Sequence, residues 1–437
     1  MKISVMGMGY VGCISAACLA NEGHSVIGVD VNPLKVDLIN DGNTPIIEVG
    51  IGDLIAANVG SGTLRATTNA KAAIADTDIT IVCVGTPSRQ NGSLELEYIE
   101  KVCGEIGTAI GGKDKRHLVV IRSTILPGTM RGVVIPTIEA QSGLKAGSGF
   151  GICFNPEFLR EGTSIEDYYH PPKIVVGSEA PSDADRVCEL YKGIAAPTIK
   201  TTLEVAETVK YVDNCFHALK VCFANEIGNI CKELRIDSHV VMDIFCSDTK
   251  LNLSSYYFKP GFAFGGSCLP KDLRALTYKV NDLDLKAPVL ASILDSNEYQ
   301  IKRGVQMILD KGKKNVGVLG FSFKAGTDDL RESPMVALIE VLIGKGYKLK
   351  IYDSNVNLAK LVGANKEYIE KHIEHISVLM TSSIEELVSF AEIIVIGNKA
   401  EEFVKVLPLL TERHHVIDLV RITKEVRTKA RYEGLCW

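Results

Sequence analysis

The sequence predicts an α/β protein in which two doubly wound domains are joined by a long central helix and a helical connector. Two observations carry this expectation. Short apolar strands alternate with helical stretches over residues 1–202 and again over 311–437, the pattern of a parallel sheet covered on both faces. Between them, from Leu203, runs LEVAETVKYVDNCFHALKVCFANEIGNICKEL, which lacks proline and is apolar on most sides, so it reads as one long buried helix. The expected segments are 1–202, 203–310 and 311–437, and a chain of 437 residues is long enough for each α/β half to bury its own core.

Residues 2 to 6 form an apolar strand that runs into GMGYVG, with Gly7, Gly9 and Gly12. A helix follows through about Asn21, and a second strand, HSVIGVD, ends at Asp30. Strand, GxGxxG, helix, strand and acid together predict a Rossmann-like dinucleotide site. The first glycine allows the tight turn, the second lets a pyrophosphate approach, and the third lets helix and strand pack closely. The helix N-terminus then faces the phosphates. The competing reading, a glycine-rich turn without a ligand, leaves the acid at the strand end unexplained. Asp30 is expected to accept hydrogen bonds from ribose hydroxyls and to repel a 2′-phosphate, so the cofactor is NAD rather than NADP. Further strands are expected at DITIVCVG, HLVVIRST, FGICFNPE and KIVVG, in one parallel sheet. Thr86 and Thr124 follow strand ends, the side on which such sheets bind ligands.

On the long helix Lys210, Asn214, His217 and Asn225 fall near one angular position. A polar stripe on a buried helix needs partners, either in a ligand site or in hydrogen bonds between helices. After it comes FAFGGSCLPKD. Gly265 and Gly266 leave Cys268 little cover, and Pro270 suits the first turn of a helix. Cys268 would stand at that helix's N-terminus beside Lys271, where the thiolate is favoured; the plainer reading is a small cysteine packed behind a turn. A linker and new strand are expected within LDKGKKNVGVLGFSFKAGTDDLRESP, a helix from Pro334, and strands at YKLKIYD, AEIIVIGN and HHVIDL.

The net charge of −5 offers no attraction to nucleic acid or an anionic membrane. The 12 cysteines contain no CxxC pair and no metal-type cluster, so no metal is expected, and their scatter through apolar segments suggests reduced thiols in a cytoplasmic protein. The first residues already read as strand and turn rather than as a cleaved signal, and no apolar run approaches the ~20 residues that span a bilayer.

A nicotinamide cofactor implies hydride transfer. Oxidising an alcohol to a carbonyl needs no cysteine nucleophile. A thiolate becomes useful when oxidation continues: it adds to the aldehyde, the adduct loses a second hydride to give a thioester, and water releases a carboxylate. Cys268 with an NAD site therefore points to alcohol-to-acid oxidation. The rivals are a two-electron hydroxyacid dehydrogenase, which also carries Lys-x-x-x-Asn on a helix but lacks the nucleophile, and an NAD-binding sensor without chemistry.

As a set, GMGYVG, VGTP, STILPGT, NPEFLREG, EVAETVKYVDN, FGGSCLPKD and SFKAGTDDLRESP resemble the UDP-glucose/GDP-mannose dehydrogenase family over essentially the whole chain. The resemblance implies oxidation of a nucleotide sugar at C6 to the uronic acid. KLNLSSYYFKPGFAFGGSCLPKD, GANKEYIE and GLCW resemble the GDP-mannose members, which implies GDP-mannose as substrate, GDP-mannuronate as product and a place in alginate-type polysaccharide synthesis. The alternative substrates are UDP-glucose and UDP-N-acetylmannosamine. Lys259 stands where the GDP-mannose members have arginine, a departure toward the UDP-glucose pattern.

By resemblance Cys268 is the nucleophile. Asp272 and Thr124 handle the hydrolytic water and its proton, Lys210 and Asn214 hold the C6 oxygen, and Glu161 is a site carboxylate with Glu157 nearby. Tyr10, Val11, Asp30, Lys35, Thr86, Thr124, Lys271 and Arg331 match cofactor positions. Glu161, Lys210, Asn214, His217, Asn225, Tyr256, Tyr257, Lys259, Phe262, Gly265 and Lys324 match sugar-nucleotide positions. The family also implies a homodimer or higher homo-oligomer, with the long helix in the subunit contact.

Overall fold

The structure, a computed structural model, describes residues 1–249, 258–282, 284, 287–322, 324–327, 329–356 and 378–437. It divides within the long helix Leu203–Glu233 into two compact units, Met1–Asp213 and Asn214–Trp437.

The first unit is built on β1 (Lys2–Met6), β2 (Ser25–Val29), β3 (Leu64–Thr67), β4 (Ile79–Val82), β5 (Leu118–Ile121), β6 (Gly151–Phe154), β7 (Ile174–Ser178) and β8 (Thr198–Thr201). They lie in the order β3-β2-β1-β4-β5-β6-β7-β8, whose first six positions follow the dinucleotide-binding arrangement. Side chains alternate between two cores. Ile3, Val5, Ile81 and Val120 pack with the helix Tyr10–Asn21 on one face, and Met6, Val82, Val119 and Ile121 pack with the helix Glu97–Ile110 on the other.

One expectation is corrected. The sheet is not parallel throughout, because β7 runs antiparallel to β6. The only helix between them, Ser164–Tyr169, has 6 residues and spans about 9 Å, too little for the crossover that a parallel return needs. The chain therefore re-enters the sheet at the end where it left. NPEFLREG stays at the carboxyl ends of the parallel strands, the ligand side of such a sheet.

The second unit holds the remainder of the long helix, the helices Ser238–Ser247, Leu269–Asp282 and Pro288–Leu309, and a second sheet. Cys215, Ala218 and Cys222 of the long helix bury against Phe264, Leu273 and Ile293. The sheet comprises β9 (Asn315–Leu319), β10 (Lys348–Tyr352), β11 (Ile393–Ile396), β12 (His415–Asp418) and β13 (Arg431–Gly434), in the order β10-β9-β11-β12-β13. All its pairings are parallel.

The two sheets leave their first strands in the same way. Gly7 has φ +91°, its N–H donates to the Val29 carbonyl at 2.7 Å, and the Met8 N–H donates to Asp30 Oδ2 at 2.8 Å. Gly320 has φ +90°, its N–H donates to the Tyr352 carbonyl at 2.9 Å, and the Phe321 N–H donates to Asp353 Oδ2 at 2.8 Å. Only glycine adopts such a φ without strain.

No described helix is long and apolar enough to cross a membrane, and the described residues contain no group of three metal-ligating side chains. None of the twelve cysteines forms a disulfide.

Candidate active site

The glycine turn of the first unit makes a cradle of the expected kind. A Cβ on Gly12 would lie 1.8 Å from the Gly7 carbonyl oxygen, so the helix Tyr10–Asn21 meets β1 only through glycine. A Cβ on Gly9 would meet nothing within 4 Å, which leaves open ground before the helix. That helix has no side-chain cap and no acid in its first turn, so its leading amides suit a pyrophosphate. Asp30 closes the cradle at the end of β2. Its Oδ2 accepts from the Met8 N–H and from Lys35 Nζ at 3.3 Å, and its Oδ1 accepts from the Asn32 N–H at 2.9 Å. These contacts hold the carboxylate where a ribose would lie, so the residues fit NAD. Thr86 Oγ1 donates to the Thr124 carbonyl at 2.7 Å and ties together the loops after β4 and β5.

Two expected cofactor positions are engaged with the protein. The Tyr10 hydroxyl bonds to the Glu48 carboxylate and lies 2.6 Å from Ser164 Oγ. Burial and Glu48 both push this phenol well above its ordinary pKa. Glu48 also accepts the Gly162 and Ser164 N–H groups at 2.7 and 2.8 Å, so Tyr10 and Glu48 pin the turn that carries half-buried Glu161. Val11 packs against the first core.

Lys210 meets Glu157 at 2.8 Å, with both side chains almost wholly buried. Burial favours the neutral acid. The Lys210 ammonium outweighs it, helped by the Leu159 N–H and by Arg122, and holds Glu157 below the usual carboxylate range. Arg122, which sequence reasoning missed, is buried and donates to Asn155 Oδ1 at 2.8 Å and to the Tyr191 hydroxyl at 2.7 Å. Its only sequence signal was a cation at a strand end next to Ser-Thr.

In the second unit Cys268 is exposed and caps the helix Leu269–Asp282, its carbonyl accepting the Asp272 N–H at 2.9 Å. The N-terminal end of the helix dipole therefore lies at the thiol, where it favours thiolate. Gly266 has φ +86°, and a Cβ on Gly265 would lie 2.3 Å from the Glu332 carbonyl oxygen, so both glycines are required by the turn. Lys271 Nζ lies 3.0 Å from Asp272 Oδ1, and Asn214 Nδ2 donates to Asp272 Oδ2. The structure thus gathers Cys268, Lys271, Asp272 and Asn214 around one helix start.

Other expected substrate positions are spread more widely. Asn225 uses both ends of its carboxamide on backbone, accepting the Gly261 N–H at 2.9 Å and donating to the Phe262 carbonyl at 3.3 Å. Hydrogen bonding between elements, the competing reading for the polar stripe, describes this residue. Phe262 is buried against Gly304, His217 and Lys324 are half-buried, and Lys259 is exposed. Arg331 spans the carboxylate of its own neighbour Asp329 at 2.9 and 2.7 Å. Tyr256 and Tyr257 lie outside the described residues.

Residues 1–195 match the NAD binding domain of the UDP-glucose/GDP-mannose dehydrogenase family, 204–299 its central domain and 317–425 its UDP binding domain. The chain is 52% identical over 437 residues to GDP-mannose 6-dehydrogenase of Pseudomonas aeruginosa, with 100% of both chains covered. It is similar to the crystal structure of a ternary complex of GDP-mannose dehydrogenase from that organism, with a TM-score of 0.58, 52% identity and full coverage of both chains. It is also similar to a UDP-glucose dehydrogenase from Pyrobaculum islandicum, with a TM-score of 0.90 and 34% identity over 100% of this chain and 97% of that one. The chain belongs to the UDP-glucose/GDP-mannose dehydrogenase family, and its first unit carries that family's NAD-binding domain.

Proposed function

We propose that the protein oxidises GDP-mannose at C6 to GDP-mannuronate in two NAD-dependent steps, through a thioester on Cys268. The observation that carries this reading is an exposed cysteine at a helix N-terminus, with Lys271 and the Asn214–Asp272 pair beside it, in a chain that has an NAD cradle. The full-length identity to the GDP-mannose enzyme supports the choice of sugar nucleotide.

Bound NAD accepts one hydride in each oxidation. Lys210 and Asn214 present an ammonium and an amide donor to the C6 oxygen and stabilise its developing negative charge. The Glu157 carboxylate keeps Lys210 in its charged, donating state. Cys268 Sγ forms a bond to the aldehyde carbon, and the carbonyl oxygen takes up a proton. Loss of hydride from that carbon, together with the proton from its oxygen, leaves the thioester. Water then adds, the C–S bond breaks, and the acid leaves as the thiol is restored. Thr124 and Asp272 handle the water and its proton, with Glu161 as a further base. Cofactor contacts fall to Gly7, Gly9, Tyr10, Val11, Gly12, Asp30, Lys35, Thr86, Thr124, Lys271 and Arg331. For Tyr10 and Arg331 these are contacts beside an existing internal bond.

The functional segments are 1–202 for NAD, 203–310 for the nucleophile and subunit contact, and 311–437 for the sugar nucleotide, in a cytoplasmic enzyme serving alginate-type polysaccharide synthesis. The protein works as a homodimer or a higher homo-oligomer. On the long helix Val205, Val212, Phe216 and Phe223 are 47%, 55%, 40% and 40% exposed. They recur at heptad-like spacing, an apolar stripe suited to a second copy. A UDP-sugar 6-dehydrogenase is the second reading, favoured by Lys259. Assays of GDP-mannose, UDP-glucose and UDP-N-acetylmannosamine at equal concentration decide between them. GDP-mannose should be faster by at least one to two orders of magnitude, the scale on which a mismatched polar site discriminates; faster turnover of either UDP-sugar overturns the choice.

A further inference from the structure

Between Phe258 and Cys268 the backbone runs without a strand or helix partner, and carboxamide side chains satisfy it. Asn225 takes the Gly261 N–H and the Phe262 carbonyl. Asn297, on the helix Pro288–Leu309, accepts the Phe264 N–H at 2.8 Å and donates to the Phe264 carbonyl at 2.9 Å. Gln300, one turn later, donates to the Gly261 carbonyl at 2.6 Å. Its amide also donates to Cys436 Sγ at 3.3 Å, and its carbonyl accepts Asn229 Nδ2 at 3.0 Å. Turning the Gln300 amide over would set one NH2 group against another, so the network fixes its orientation. Asn297, Gln300 and Cys436 are 8%, 1% and 0% exposed, and a Cβ on Gly228 would meet Cys436 Cβ at 2.9 Å, so the anchor is itself enclosed.

The segment these side chains hold ends at Phe264, four positions before the nucleophile, with Gly265 and Gly266 directly after it. We propose that Asn297 and Gln300, backed by Cys436, are positioning residues for the reaction: they hold residues 261–264 in one conformation and thereby set where the Cys268 thiolate stands. The proposal rests on the reading of Cys268 as nucleophile. Its physical basis is that a displaced nucleophile loses rate steeply even when its chemistry is intact.

The test uses the full-length protein with Asn297→Asp, which keeps the acceptor for the Phe264 N–H and replaces the donor to the Phe264 carbonyl by an oxygen. Cys436→Ser is a milder second variant that keeps the shape around Gln300. Three quantities are read: NAD affinity, kcat and KM with GDP-mannose, and the pH profile of Cys268 alkylation by iodoacetamide, located by peptide mass and checked against Cys268→Ser. Asn297→Asp should leave NAD affinity within about twofold, lower kcat by roughly ten- to a hundredfold with a smaller change in KM, and shift the alkylation profile. Cys436→Ser should move the same quantities in the same direction by less. An alkylation profile superimposable on the parent's in the folded variants, or a loss of melting temperature with unchanged kcat, overturns the proposal. If Asn297→Asp does not fold, an unshifted profile in Cys436→Ser overturns it equally. Failure of the parent protein to turn over GDP-mannose would instead remove the substrate assignment, while the alkylation comparison still tests the anchor.

Discussion

Glu157 and Lys210 illustrate how a single side chain acquires a working state. Each alone would be forced toward neutrality by burial, and together they stay charged. Glu157→Gln should therefore lower kcat and destabilise the first unit by about 1–3 kcal/mol, the scale of a buried charged hydrogen bond lost; urea titration and initial rates check both. The depressed carboxyl adds stability that is present above the usual glutamate pKa and lost as pH falls through its lower folded value. His117 behaves in the same sense for another reason. Burial first, and then the Lys113 ammonium 3.1 Å from Nδ1, bring its pKa down to about 3. The unfolded chain takes up that proton near the ordinary histidine pKa and the folded one does not. Stability should fall by about 1.4 kcal/mol per pH unit from about pH 6 toward 3, and less steeply in His117→Gln. At this scale the sequence was legible for groups whose neighbours are local. The Gly265–Gly266–Cys268–Pro270 pattern announced a helix start, and the glycine turn announced Asp30. It was not legible for Arg122 or Gln300, whose partners come from remote segments and leave no periodic trace.

Among the elements, the long helix has the most distinctive surface. Its 31 residues extend about 46 Å. One side buries Cys215, Ala218 and Cys222, while Val205, Val212, Phe216 and Phe223 remain exposed. Val212→Glu with Phe216→Glu should shift the protein toward monomer in sedimentation velocity and leave NAD affinity unchanged; a parent already monomeric at micromolar concentration would refute the subunit contact. Strands that are buried along their length, such as β4, β5 and β11, were readable as continuous apolar runs. LRAT, TIKT and RYEG were not, because β3, β8 and β13 are sheet edges and keep polar, exposed residues. The antiparallel turn into β7 was hidden as well: the apolar pattern of KIVVG is the same in either direction.

For the whole molecule the governing quantity is the number of electrons removed. With Cys268 holding the intermediate, two NADH should appear per GDP-mannose and no aldehyde should accumulate, counted by absorbance and an aldehyde trap. One NADH with released aldehyde would exclude the covalent route. Cys268→Ser should abolish acid formation and leave NAD binding intact. The order of α/β, helical and α/β segments was legible across the chain because each half buries its own strands. The choice of sugar was not legible from physics, since the groups that act at C6 are indifferent to the nucleobase; it came from likeness in motifs.

The matched turns at Gly7 and Gly320 place two aspartates in the same local setting with different spare capacity. Asp353 Oδ2 accepts the Phe321 and Ser322 N–H groups, the Ser322 hydroxyl and Asn398 Nδ2, while its Oδ1 accepts the Asn355 N–H. That carboxylate is a rivet. Asp30 Oδ2 has the Met8 N–H and the Lys35 ammonium, and its Oδ1 has the Asn32 N–H, which leaves lone pairs for a ligand. The molecule thus contains its own control experiment. Asp353→Asn measures what the substitution does to such a turn, and Asp30→Asn measures that plus the loss of a ribose acceptor. Subtracting the first effect from the second isolates cofactor recognition without reference to any other protein.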